Sequence, residues 1–173
     1  ELANYLIFEN EIDTCVSNKQ KEMWCLVEDS KFLILGDSHA DALSRGFAED
    51  DAVSKIILYG CPPIINIVKK NDNFGADCND DIDYAFEYLA SNDQIEYVIL
   101  HSRWPLFVEQ KRFDNREGGV EYGDSIVISF GNKLNQNFMD SFKSSLFETV
   151  EKISSLGKKI IIVYPVPEVG WHV

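Results

Sequence analysis

The chain has 173 residues, 45% of them hydrophobic, which is enough to bury the core of one domain and too little for two. Its 29 acidic residues against 16 basic ones leave a net charge of −13, which argues against nucleic-acid phosphates and anionic lipid as partners. No apolar run approaches the roughly 20 residues that a membrane-spanning helix needs.

Residues 1–30 are irregular and mixed, with Trp24 and the Cys15–Cys25 segment as anchors; they read as an N-terminal extension. Lys31 to Leu35 (KFLIL) has the length and composition of a strand buried on both faces. Ala40 to about Glu49 reads as a helix through Ala42, Leu43 and Phe47, weakened by Gly46. Val53 to Tyr59 (VSKIILY) is a second strand, closed by Gly60-Cys61-Pro62-Pro63, where two prolines forbid a helix interior and a central strand.

Asp80 to about Ser91 is a helix with acidic residues in its first turn. Ile95 to Leu100 (IEYVIL) is a third strand. Residues 102–131 are long and irregular, with a hairpin expected around Gly118 to Ser129. Leu134 to Leu156 is the longest helix, with Phe138, Phe142, Leu146, Val150 and Ile153 on one face and Gly157 as its stop. Lys159 to Tyr164 (KIIIVY) is a fourth strand, ended by Pro165 and Pro167. The chain starts at Glu1 without a signal peptide and stops at Val173 just past this strand, the pattern of a piece cut from something longer.

Short apolar strands alternating with helices imply an open parallel sheet covered on both faces. Ligands of such sheets bind at the carboxyl ends of the strands. The loops Gly36–His39, Gly60–Pro63, His101–Pro105 and Pro165–His172 therefore converge on one edge.

Four cysteines occur, and no C-x-x-C pair or zinc-ligand spacing with His39, His101 or His172 is present, so no metal site is expected. Cys15/Cys25 and Cys61/Cys78 each bracket a polar, loop-like segment. Local pairing would give two short disulfide loops and place the protein in an oxidising compartment. Four reduced, buried thiols are the alternative.

At the loop edge lies LGDSHADAL. Ser38 sits where a strand ends and a helix begins, a place for a nucleophile or for a plain helix N-cap. An acyl-transfer serine needs a base for its proton and donors for the oxyanion. The amides of Ser38 and Gly60 can supply two donors, since glycine permits close backbone approach. Asp37 more plausibly braces the turn. Arg103 offers a cationic donor or, with Trp104, holds its loop. His39 adjoins the serine and should diverge from it, His101 ends the third strand on the same edge, and His172 lies in the tail.

The GDSH junction resembles the first block of the SGNH/GDSL superfamily of serine esterases and acyltransferases, with Ser38 as nucleophile and Gly60 as the second block. C…W-C ahead of the serine, then LGDSHADAL, YGCPPI, HSRWPLF and IIVYPVPEVG, is similar to the extracytoplasmic SGNH domain fused behind membrane-embedded acyltransferase-3 domains. The resemblance runs from about Cys15 to the last residue. It implies a flavodoxin-like, three-layer α/β fold over residues 31–173, truncated at its C-terminus. It also implies O-acetylation of bacterial surface polysaccharide without a cofactor, on the periplasmic face of the inner membrane. The partners would be an acyl donor, a sugar acceptor and an N-terminal membrane acyltransferase domain.

The sequence departs from the family in two places. His101-Ser102-Arg103-Trp104 replaces the third-block Asn, and no histidine has an Asp three residues before it. The base would then lie outside this chain. A carbohydrate esterase using the same groups, and a non-catalytic glycan-binding or scaffold domain, are the rival readings.

Overall fold

A computed structural model describes residues 24–47, 53–58, 60–69, 78–121, 123, 128–131 and 137–167. Four strands form the central sheet: β1 (Phe32–Gly36), β2 (Val53–Ile57), β4 (Tyr97–His101) and β6 (Lys159–Ile162). Their spatial order is β2-β1-β4-β6, and every pairing is parallel. The expected architecture is the observed one.

Helix α1 (Ser38–Ser44) follows β1, and α2 (Cys78–Ser91) lies between β2 and β4. Helices α3 (Trp104–Glu109) and α4 (Phe138–Ser155) lie between β4 and β6. The chain leaves β1 toward β2, then returns across it to β4. Crossovers of one hand place the helices of opposite directions on opposite faces. Two apolar clusters record this. Ile34, Ala40, Ile57 and Ile99 pack under α1, whereas Leu33, Leu35, Ile56, Leu58, Val98 and Leu100 face α2 and α4. Each of these side chains is 4% exposed or less, and burial of each Val, Leu or Ile is worth roughly 1.5–3 kcal/mol before entropy is counted.

The first described residues finish one side of the sheet. Cys25 pairs antiparallel with Lys55 of β2 through N–H···O bonds of 3.0 and 2.7 Å. The Trp24 indole donates to the Ile57 carbonyl at 3.1 Å and stacks on Tyr84 with ring centroids 4.4 Å apart.

Three details differ from the sequence expectations. Helix α1 stops at Ser44 instead of reaching Glu49, with Arg45 as its C-cap just ahead of Gly46. Pro105 in the first turn of α3 starts a short helix where the sequence suggested irregular chain, because proline suits the first helical positions. Of the expected hairpin around Gly118 to Ser129, residues 122 and 124–127 lie outside the described residues, and the described ends pair elsewhere. Strand β5 (Ile128–Phe130) runs antiparallel to β3 (Ile67–Lys69), while the local turn is a single bridge between Asp114 and Val120. The start of the expected Leu134 helix lies partly outside the described residues; α4 begins at Phe138, capped by the Asn137 side chain.

Candidate active site

The exit of β1 is a close packing point. Gly36 faces His101 across the β1–β4 ladder, and a Cβ added to it would lie 1.6 Å from the His101 carbonyl oxygen and 2.8 Å from the Ala40 Cβ. Only a glycine fits between the two backbones. On the other side the Gly36 carbonyl accepts from Leu58 N–H at 2.6 Å. The turn after β1 is thereby fixed to β2 and β4 together.

Asp37 completes the turn. It is 3% exposed and is the N-cap of α1: Oδ1 accepts from the His39 amide at 2.8 Å. Its Oδ2 accepts from Ser102 Oγ at 2.7 Å and from the Arg103 amide at 2.9 Å. A buried carboxylate is costly unless its lone pairs are filled, and here three donors fill them. The capping role suggested for Ser38 therefore belongs to Asp37. Ser38 is the first residue of the helix and is exposed.

Gly60 follows β2 on the same edge, half-buried in a turn, with φ of 61°. That left-handed conformation strains any residue with a Cβ and suits glycine. Cys61, next to it, forms a disulfide with Cys78 at the start of α2, with Cα atoms 5.8 Å apart. Cys25 is also disulfide-bonded; Cys15 lies outside the described residues.

His101 ends β4 with its ring on the α1 side of the sheet, 2% exposed, its centroid 6.3 Å from that of His39. Burial pushes its pKa below the ordinary value of 6.5; the Val163 carbonyl and the Asp37 charge oppose this, and His39 adds to it. Among the described residues its Nδ1 has no hydrogen-bond partner. The His39 Nδ1 stands 3.7 Å from Asp37 Oδ1. His172 lies outside the described residues.

Arg103 and Trp104 turn to different partners. The Trp104 indole donates to the Val163 carbonyl at 3.0 Å, tying α3 to the chain just past β6. The Arg103 guanidinium holds Glu121 with two bonds, at 2.8 and 2.5 Å, and Arg112 donates to the same carboxylate at 2.5 Å. The Arg103 bonds, against the cost of burial and with help from its charge and from Arg112, bring the Glu121 pKa down to about 2. Glu121 thus occupies the guanidinium that the sequence offered as a donor to substrate. No local pattern marks Glu121, whose partners stand 9 and 18 residues away.

The structure so brings Ser38, Asp37, His39, His101, Ser102 and Gly60 to one end of the sheet. This is the point where the chain reverses direction between β1 and β4, and such switch points open ligand crevices in parallel sheets. A family model described as "SGNH domain (fused to AT3 domains)" matches residues 8–173. The chain belongs to that family. No curated protein and no solved structure matches it. Membership makes this an acyltransferase-associated SGNH domain, and fusion to AT3 domains gives it a membrane acyltransferase as partner domain and a membrane-anchored parent. No described helix is long and apolar enough to cross a membrane.

Proposed function

We propose that the domain carries an acyl group, acetyl in the simplest case, from a donor delivered at the membrane to a hydroxyl of a surface polysaccharide, on the periplasmic side. The observation that carries this reading is the division of labour at the β1 exit. Asp37 takes the cap, and Ser38 is left exposed at the switch point of the sheet. Ser38 Oγ attacks the donor carbonyl and gives its proton to a base; the oxyanion is met by amides of the Ser38 and Gly60 turns. The tetrahedral adduct collapses, expels the donor's leaving group and leaves an acyl-serine. A sugar hydroxyl then attacks, and Ser38 Oγ leaves with the returning proton.

The base is a histidine of the family's D-x-x-H type, for which this sequence has no match. Arg103, held by Glu121, contributes its backbone N–H to Asp37 and so steadies the nucleophile turn. With water as acceptor the same site would be an esterase.

The test is acylation of Ser38. The AT3-fused parent, incubated with an activated ester such as nitrophenyl acetate, should hydrolyse it well above background and show a transient acetyl adduct on the Ser38 peptide by mass spectrometry. Ser38→Ala should remove both. The isolated 173-residue chain should be near background, since its sequence has no D-x-x-H to activate Ser38. A parent whose turnover is unchanged by Ser38→Ala would remove the reading and leave a glycan-binding or scaffold domain.

A further inference from the structure

A cavity of about 330 Å³ lies away from Ser38, between the β3–β5 pair, the first turns of α2 and the last turn of α4. This is within the range of small-ligand sites, about 300–1,000 Å³. Ile65 and Ile82 line it with apolar surface, Asn66, Asp83 and Lys152 with polar groups. Lys152 Nζ sits 4.0 Å from the centroid of the Phe86 ring, which fixes one polar corner.

The walls are held from several sides. The Cys61–Cys78 disulfide ties the first turn of α2 to the loop that carries Gly60. The Ile65 amide donates to Thr149 Oγ1 at 3.1 Å, and Asn66 Nδ2 to Glu148 Oε2 at 3.0 Å. The Gly131 amide donates to the Asn66 carbonyl at 3.2 Å. Gly131 itself lines the cavity, and a Cβ there would come 3.3 Å from the Val68 side chain. A side chain at 131 would crowd Val68, another residue of the lining. A site built in advance loses little ordering entropy when a ligand enters.

The lining selects the ligand. An amide, a carboxylate and an ammonium over apolar surface offer both donors and acceptors, which suits a molecule with many hydroxyls and some C–H surface. One acidic and one basic side chain leave no net charge in the lining, and the chain's −13 repels polyanions at long range. We propose that this cavity is a neutral-saccharide subsite, which retains the acceptor glycan while another of its residues is presented at Ser38. The presentation at Ser38 rests on the function proposed above; binding in the cavity does not.

The experiment is an amide-resolved NMR titration of the Ser38→Ala chain with two neutral probes, cellotetraose and chitotetraose, and one acidic probe, tetragalacturonate. Expected is saturable perturbation by at least one neutral probe at residues 65–68, 79–83 and 131, with tetragalacturonate at least tenfold weaker. Gly131→Leu, which fills the space, should weaken binding at least tenfold. Because that variant risks the β5 turn, Asp83→Ala, at an exposed helix position, should also weaken it severalfold with an unchanged spectrum elsewhere. No perturbation by either neutral probe, perturbation confined to the Ser38 and Gly60 turns, or tighter binding of the acidic probe would each overturn the proposal. Acylation of Ser38 in the parent, measured separately, is unaffected by any of these outcomes.

Discussion

The two edges of the central sheet are finished differently. On the β2 side, Trp24 to Ser30 lies against the strand: Cys25 pairs with Lys55, the Val27 amide donates to Ser54 Oγ at 3.0 Å, and Ser54 is fully buried. On the β6 side, Ile161 and Ile162 are 42% and 48% exposed, and Tyr164 just beyond is 89% exposed. Yet KIIIVY has the composition of a strand covered on both faces, richer in β-branched residues than β2. Composition thus reports what a strand is suited to, while exposure among the described residues reports what covers it. Edges are also where unwanted pairing starts, so among the described residues the β6 side is the more open to association.

The largest effect should come from the seam that both edges share. Gly36→Ala puts a methyl group into the His101 carbonyl and should cost more than about 4 kcal/mol, leaving little folded protein on urea titration. Near-normal stability would mean that β1 and β4 separate easily and that neither edge matters to the turn carrying Ser38.

Trp24→Ala comes next. It removes a 5%-exposed indole, its bond to Ile57 and its stack on Tyr84, and should cost about 3–5 kcal/mol by thermal or urea unfolding. Ile161→Thr on the open edge should change stability by less than about 1 kcal/mol. Equal losses at the two sites would break the comparison.

A smaller effect depends on pH. His101 lies beside the Val163 carbonyl, at the end of the open edge, and its pKa is lowered from 6.5. The unfolded chain therefore takes up this proton first, so stability should fall as pH drops below 6.5 and level off below the folded-state value. His101→Gln should flatten that part of the stability profile. An unchanged slope would assign it to other groups.

The strands of the sheet were legible because burial on both faces writes continuous apolar runs such as KFLIL and VSKIILY. Strands β3 and β5 were not: each has three residues, and what makes them strands is a partner some 60 positions away. The WPLF segment hid α3, since a proline after a strand reads equally as a loop. At the site, Ser38 and Gly60 stood out as residue types placed at strand ends, whereas the need for glycine at 36 shows only in its approach to the His101 carbonyl. The triple acceptance by Asp37 spans up to 66 residues and the Glu121 clamp gathers a loop, so no local pattern announces either.

The smallest expected change in regular structure goes with the Cys61–Cys78 bond, and it bears on how the protein should be made. The bond lies outside the central strands and joins a loop to a helix start, so a chain produced in a reducing cytosol would keep most of its hydrogen-bonded ladders. Far-UV circular dichroism would then pass material in which the segment around Gly60 has lost its covalent anchor. Free-thiol titration, not a spectrum of secondary structure, is the quality measure that separates the two preparations.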